Sequence, residues 1–188
     1  MTQTRDWQRN RDMWIRVLER QTGLGVDEWN RRIARSGLRD ESVLRAWLTA
    51  EGVTGYARSL LVMEQFGYPD FLLASADQLI DGQYADRPHL RAIFDAIIGA
   101  VSGLDGVVIQ ARKTYVSLVG ARRTFGRVVP ATQDRVDLGL RLDGKKPGGR
   151  LQPSTIHETM KLKISLTSPA EVDDDVLEWL RKAYERNA

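Results

Sequence analysis

Cysteine is absent from this sequence, which excludes a disulfide framework, a thiolate zinc site, an iron–sulfur cluster and a cysteine nucleophile. Histidine is scarce, since only His89 and His157 occur, so a metal site built from histidines alone is hard to form. No run of about 20 apolar residues is present, so we expect no membrane-spanning helix, no membrane partner and a cytoplasmic location. The glycine-lysine pattern of a phosphate-binding P-loop and the G-x-S-x-G pattern of a serine nucleophile are also missing.

The composition that remains is that of an ordinary globular protein. The 188 residues are 42% hydrophobic and 28% charged, enough for one large domain or two small ones. Residues 1–86 carry 11 basic and 13 acidic side chains, whereas residues 87–188 carry 17 and 12. Residues 112–150 contain ten basic side chains and only three acidic ones. Positive charge is therefore concentrated in the second half of the chain, where it favours an anionic partner.

The N-terminal part is predicted to be entirely helical. Apolar residues recur there at helical spacing in four successive segments of roughly 10–15 residues, and each connection between the segments contains glycine. We expect a bundle of about four short helices over residues 1–67, followed by a domain boundary at 68–70. One or two short helices are expected between Asp70 and Ala85.

The apolar pattern changes after Gly106 from the helical period to a period of two, which indicates strands. Two amphipathic helices flank these strands, one beginning near Pro88 and one capped by Ser168 or Asp173. We expect an α+β domain over residues 68–188, in which the two helices cover a mostly antiparallel sheet of four or five strands. No strand before residue 100 is expected in this sheet. The predicted strands are 107–110, 113–119, 124–129, 135–142 and 160–166.

Alternation along these strands places basic and aromatic side chains on one face of the sheet. Cations on such a face neutralise phosphates and release counterions, and aromatic rings stack on bases. The pattern favours nucleic-acid binding with little sequence specificity, and its alternative is a charged face that only meets solvent. The candidate contacts for nucleic acid or another anion are Lys113, Tyr115, Arg127, Arg135, Arg141, Lys161 and Lys163, with Phe125 as a second aromatic.

Two other kinds of site are weighed against this one. Ser117, Asp137 and His157 are candidate polar groups of a small-molecule pocket between the helical bundle and the sheet. Asp143-Gly144-Lys145 matches the D-x-K fragment of metal-dependent nucleases, although the surrounding glycines and lysines are typical of a solvated turn. We therefore expect a non-catalytic binding protein with no cofactor and no metal. A small-molecule binding protein and a metal-dependent nuclease or hydrolase remain the alternatives.

Two sets of residues resemble known families. Those that resemble domain of unknown function 4287 are Thr22-Gly23, Glu28-Trp29, Ile33, Ser36-Gly37-Leu38, Trp47-Leu48, Gly52-Val53 and Gly55-Tyr56-Ala57. Those that resemble domain of unknown function 5655 are Lys113 to Leu118, Phe125, Pro130, Arg135 to Leu140 and the terminal Trp179-Leu180 with Ala183-Tyr184. The resemblance implies a bacterial protein of this two-part architecture. The resemblance implies no established activity. It favours a nucleic-acid context, because it implies relatives in which the second domain sits beside nuclease-like domains in larger proteins.

Overall fold

The computed structural model describes residues 2–4 and 7–188, which form two compact units. One unit ends at Ala74, and the other comprises Ser75–Ala188 together with a strand at Thr2–Thr4. The boundary therefore follows a short helix, Asp70–Leu73, that the sequence analysis assigned to the second domain. Among the helices of the described residues, none combines the length and the hydropathy that crossing a membrane requires.

The first unit is a small helical domain with its own apolar core. Its helices are α1 (Trp7–Thr22), α2 (Val26–Ser36), α3 (Glu41–Ala50), α4 (Gly55–Phe66) and α5 (Asp70–Leu73). Leu18, Trp29, Leu44 and Leu60 are buried in this core, one from each of the four longer helices. The left-handed conformation of Gly37, with φ of 68°, ends α2 as its position in the sequence predicts.

A strand at Thr2–Thr4, β1, contradicts the prediction that residues 1–67 are all helical and that no strand precedes residue 100. It pairs in parallel with Val108–Ala111, so that Thr2 lies opposite Ile109 and Thr4 opposite Ala111. Main-chain hydrogen bonds make this pairing, and Thr-Gln-Thr carries no apolar alternation from which a strand could be predicted. At residues 1, 5 and 6 the helical prediction lies outside the described part of the chain.

The second unit is a two-layer α+β domain. Its remaining strands are β2 (Val108–Ala111), β3 (Val116–Val119), β4 (Thr124–Pro130), β5 (Val136–Leu140), β6 (Gln152–His157) and β7 (Met160–Leu166). Its helices are α6 (Ala76–Tyr84), α7 (Arg91–Val101) and α8 (Asp174–Glu185), with short 3₁₀ turns at Pro88–Leu90 and Pro169–Glu171. The strand order is β1-β2-β3-β4-β5-β7-β6, and all neighbours are antiparallel except β1 and β2. The α+β class and the mostly antiparallel sheet are confirmed.

The number of elements in this domain differs from the prediction of four or five strands and two helices. Six antiparallel strands are present besides β1, because β6 was missed. Its residues are mostly polar and none of them is buried, so they show no apolar alternation. The helix α6 lies where short helices were expected, between Asp70 and Ala85, but it was not expected to cover the sheet, and it contributes Ile80 and Tyr84 to the core.

The core of this domain lies between the three helices and one face of the sheet. Alternate strand residues such as Val116, Leu138 and Ile164 are buried there against Ile97 of α7 and Leu180 of α8. Because successive side chains of a strand point to opposite faces, the residues between them form the other face of the sheet. We call this other face the polar face. Its central residues are Gln110, Ser117, Arg127, Val129, Asp137, Gly139, Lys163 and Ser165.

Candidate nucleic-acid interface

Strand register brings the side chains of the polar face into two neighbouring rows. In the first row, Ser117 lies opposite Arg127, Arg127 opposite Gly139, and Gly139 opposite Lys163. In the second row, Asp137 lies between Val129 and Ser165. Adjacent strands are about 4.8 Å apart, so each row is a line of closely spaced side chains across the sheet.

Arg127 lies over the ring of Tyr115, with its guanidinium carbon 4.4 Å from the ring centroid. This is a cation–π contact, in which the ring attracts the charge without neutralising it. In the part of the chain that the structure describes, no carboxylate forms an ion pair with Arg127, and its Nε has no hydrogen-bond partner. The polar face therefore carries an uncompensated positive charge beside a half-buried aromatic ring.

Asp137 binds two of the predicted cations of the polar face. This carboxylate is only 3% exposed, and it accepts hydrogen bonds from Lys163 Nζ at 2.7 Å and from Ser165 Oγ at 2.8 Å. Its Oδ1 also lies 2.9 Å from Nε of Arg135. A buried carboxylate needs such partners, since desolvation otherwise disfavours its charge. The net charge of this cluster, two cations and one carboxylate, is +1.

Arg141 is paired with an acid at the end of β5. Its Nε lies 3.5 Å from Oδ2 of Asp143, and Nη2 of Arg123 lies 3.8 Å from the same oxygen. Asp143 is the acid of the D-x-K fragment, and it is exposed in a turn beside these two arginines. The lysine of that fragment is Lys145, and its Nζ lies 5.1 Å from the centroid of the Trp179 ring. Among residues 2–4 and 7–188, no three acids or histidines lie close enough together to hold a metal ion.

Lys113 does not lie on a strand, contrary to the prediction of a strand over 113–119. β3 begins at Val116, and residues 112–115 form a tight turn in which the N–H of Arg112 donates to the carbonyl of Tyr115 at 2.9 Å. The turn interrupts the alternation at Lys113, which therefore does not share a strand with Ser117. The ring of Tyr115, in contrast, lies against Arg127, the residue opposite Ser117. Lys161 does lie on a strand, β7, two residues from Lys163 and exposed.

Phe125 lies in the core, so its predicted place on the polar face is wrong. It is fully buried and makes an edge contact with Tyr184, with the ring centroids 5.6 Å apart. The cause is a β-bulge: Val119 pairs with Thr124 and Leu118 with Gly126, which leaves Phe125 as an extra residue. Such a bulge changes which face a side chain points to, and alternation alone does not reveal it.

His157 is the last residue of β6, the strand that the sequence analysis did not predict. Its Nδ1 lies 2.9 Å from Oγ1 of Thr159 and accepts a hydrogen bond from the Thr159 N–H at 3.3 Å. Among the described residues, His157 therefore forms its hydrogen bonds within its own hairpin, and not with Asp137 or Ser117. Ser117 lies on the polar face and is only 4% exposed.

Two features of this region were missed by the sequence analysis. A Cβ atom added to Gly139 would lie 3.1 Å from Cδ1 of Ile156, so the β6–β7 hairpin places an apolar side chain over the first row. Beside the turn that precedes β3 lies a cleft of about 320 Å³. Its lining includes Gln83, Asp86, Arg87, Lys113, Thr114 and Pro130.

One wall of the cleft is formed by the ion pair of Asp86 and Arg87. The Arg87 Nε and Nη2 donate to Asp86 at 2.8 and 3.0 Å, and its Nη1 donates to the carbonyls of Pro130 and Thr132, both at 3.0 Å. The hydrogen bonds from Arg87 and Gln133 lower the pKa of Asp86 to about 2. This guanidinium joins the segment after α6 to the end of β4 and the residues that follow it, and Asp86 neutralises its charge.

The comparison with family models places these residues in a known family. The model described as Domain of unknown function (DUF5655) matches residues 80–187, more than half of the chain. The chain belongs to this family. The DUF5655 match includes all the candidate residues, from Gln83 in α6 to Lys163 in β7. A search of the curated proteins found no match to the DUF5655 chain, and neither did a search of the solved structures.

Proposed function

We propose that this DUF5655 chain is a non-catalytic protein that binds nucleic acid on its polar face, single strands in preference to duplex, with little sequence specificity. The observation that carries the proposal is the Arg127 guanidinium, which lies on Tyr115 without an acidic partner. A cation held beside an aromatic ring suits a ligand that joins phosphates to planar bases.

The charge of the polar face supports an anionic ligand of modest affinity. Arg127 and the exposed Lys161 each contribute a full positive charge. The pair of cations Arg135 and Lys163 adds one further positive charge, because Asp137 neutralises the other. The charge of Arg141 is neutralised by Asp143. About three uncompensated charges are thus available near the rows, fewer than the six cations considered from the sequence.

The shape and chemistry of the face favour a single strand. Tyr115 and the apolar Ile156 offer surface to unstacked bases, whereas the backbone of a duplex would mainly need cations. Ile156 lies over Gly139, the neighbour of Arg127 in the first row, so an apolar side chain is present on the same face as the guanidinium. Contacts of these kinds position a strand without reading its sequence.

For the helical domain we propose kinship with domain of unknown function 4287, in a chain of bacterial origin. Several residues of that motif make structural contacts: the Trp29 indole N–H donates to Thr22 Oγ1 at 3.0 Å, and the rings of Trp29 and Trp47 meet edge to face. Gly55 has a φ of 57°, which favours glycine. The motif thus supports a shared fold and not a shared activity.

Fluorescence anisotropy with a labelled single strand, and with a duplex of the same length, tests the proposed function. At about 50 mM salt, where phosphate contacts are strongest, we expect the single strand to bind more tightly than the duplex. Arg127→Gln should weaken this binding. Arg181→Gln is the matched control, because it removes the same charge from an exposed position on α8. Absence of binding to both ligands, or an equal loss in the two variants, would contradict the proposal.

A further inference from the structure

Three arginines of the second unit converge on one aspartate just beyond the end of β5. Arg141 Nε and Arg123 Nη2 lie 3.5 and 3.8 Å from the same oxygen of Asp143, Oδ2. Arg186 Nη1 donates to the main-chain carbonyl of Asp143 at 3.4 Å. We call these three side chains the arginine cluster. They come from the segment between β3 and β4, the end of β5 and the end of α8, so the fold alone brings them together.

Asp143 neutralises only one of the three charges, and it does so from a distance. In the described part of the chain, no other carboxylate forms an ion pair with any member of the cluster. A charge-assisted hydrogen bond is about 2.7–2.9 Å long, which is shorter than both carboxylate contacts of the cluster. Arg150, by contrast, reaches Asp173 at 2.7 Å. The arginine cluster and Asp143 therefore have a net charge of +2 and lack close pairing.

The guanidinium groups of the cluster have hydrogen-bond donors that the protein does not use. Nε of Arg123 and Nε of Arg141 are buried, and neither makes a hydrogen bond within the described residues. The terminal nitrogens of these two side chains are accessible to solvent. The exposed fraction is 39% for the Arg123 side chain and 20% for that of Arg141, and Arg186 is exposed as well. A ligand from solution can thus accept from all three guanidiniums.

The carboxylate of Asp143 marks where an anionic oxygen of such a ligand would lie. It is within 4 Å of nitrogens of both Arg123 and Arg141, and it is 63% exposed. Asp143 belongs to a tight turn in which the N–H of Lys145 donates to the carbonyl of Leu142 at 3.0 Å. Exposed ion pairs contribute little to stability, so a stronger anion displaces this side chain at small cost.

We infer that the arginine cluster binds a dianionic phosphate group, which takes the place of the Asp143 carboxylate. A phosphate monoester carries about −1.5 to −2 charges near pH 7 and has three strong acceptor oxygens. Its charge matches the +2 of the cluster, and its oxygens suit the planar donor pairs of arginine. A carboxylate has one charge and two oxygens, so it satisfies the cluster less well.

The phosphate group belongs either to inorganic phosphate or to a small phosphate ester. The inference is independent of the proposed function, because it uses neither Arg127 nor Tyr115. It assigns to the arginine cluster a small ligand that binds whether or not the polar face binds a strand.

An NMR titration of the full chain with inorganic phosphate, glycerol 3-phosphate and acetate tests the inference. In about 0.15 M sodium chloride, general attraction between charges is screened beyond about 8 Å and chloride competes for the site. We expect both phosphates to shift the backbone amides of Arg123, Asp143 and Gly144 and the Nε–H signals of Arg123 and Arg141. Acetate at the same concentration should shift them much less. Tighter binding of glycerol 3-phosphate identifies a phosphate ester as the ligand, and otherwise the ligand is inorganic phosphate.

Variants separate a specific contact from the general field of the arginines. Arg123→Gln should weaken phosphate binding about tenfold, because charge-assisted hydrogen bonds are lost. Arg122→Gln is the matched control: it removes the same charge from the neighbouring, exposed position and should change the affinity by less than about twofold. Arg186→Gln, at an exposed position, should also weaken binding and repeats the measurement if Arg123→Gln does not fold.

Three results would overturn the inference. They are the absence of shifts with both phosphates, shifts of equal size with acetate, and an equal loss of affinity in Arg122→Gln and Arg123→Gln.

Discussion

Tyr115 supports the guanidinium of Arg127 from the turn before the neighbouring strand, with 4.4 Å between the guanidinium carbon and the ring centroid. Tyr115 immediately precedes β3, and Arg127 lies on β4, where it pairs with Ser117. The contact holds a long, flexible cation in one place, which lowers the entropy that it loses when a ligand binds. It also leaves the charge available, since no acid in the described residues pairs with it.

The first prediction concerns the salt dependence of binding. With about three uncompensated cations, the logarithm of the binding constant for a single strand should fall with the logarithm of the salt concentration with a slope of roughly −2. Arg127→Gln should make this slope less steep by about 0.7, because one phosphate contact is lost. Anisotropy titrations between about 50 and 200 mM salt measure both slopes. A slope near zero in the wild type would show that phosphate contacts do not drive binding.

The second prediction concerns Tyr115. Replacing it with leucine removes the ring but keeps an apolar side chain, so single-strand binding should weaken by about 1–3 kcal/mol through loss of stacking. The same titration gives this value, and Tyr56→Leu serves as a control because Tyr56 is 61% exposed in the helical domain. Unchanged affinity in Tyr115→Leu would exclude stacking on this ring.

The third prediction concerns Asp137, whose neutralisation should have opposite effects on stability and on binding. Asp137→Asn leaves Lys163 and Arg135 without their carboxylate, so the free energy of unfolding should fall by about 2 kcal/mol. This is less than the roughly 3–5 kcal/mol of a fully buried pair, because 37% of the Arg135 side chain remains exposed. The variant also adds one positive charge to the polar face, so nucleic-acid binding at low salt should tighten.

Urea denaturation and anisotropy measure the two effects, with Asp143→Asn as the control. Asp143 is also paired with arginines but is 63% exposed, so its loss should change stability by less than about 1 kcal/mol. A variant of Asp137 that binds no more tightly than the wild type would show that this cluster lies outside the nucleic-acid interface.

The fourth prediction concerns pH and the Asp86–Arg87 ion pair. The folded chain holds the pKa of Asp86 at about 2, below its ordinary value of 3.8, through hydrogen bonds from Arg87 and Gln133. A lowered pKa means that the carboxylate stabilises the fold fully above pH 3.8, and that this contribution is lost as the pH falls towards 2. The stability difference between the wild type and Asp86→Asn should therefore be constant above about pH 4 and shrink below it. Urea denaturation at several pH values measures this difference, and a difference that does not change with pH would contradict the assignment.

Much of the sheet follows directly from the pattern of side chains along each strand. Val136, Leu138 and Leu140 alternate with polar residues, and they are buried in the core as alternation predicts. The observed bounds of β7, Met160–Leu166, are those that the sequence predicts. In both strands one face is buried against helices and the other is polar, so the pattern of the residues reports the structure faithfully.

The polar face and the cleft depend on information that no single strand contains. Main-chain hydrogen bonds between strands determine both the pairing of Thr2–Thr4 with β2 and the bulge at Phe125. The alternation of apolar residues along one strand does not predict either feature. Sequence determined that Asp137 and Lys163 are polar residues of strands. Only the tertiary structure decided that they form an ion pair, that Arg127 lies on Tyr115, and that Gln83 holds the turn before β3 from 29 residues away. The physical reason is that alternation reports burial along one strand, whereas a site depends on which strands become neighbours and in which register.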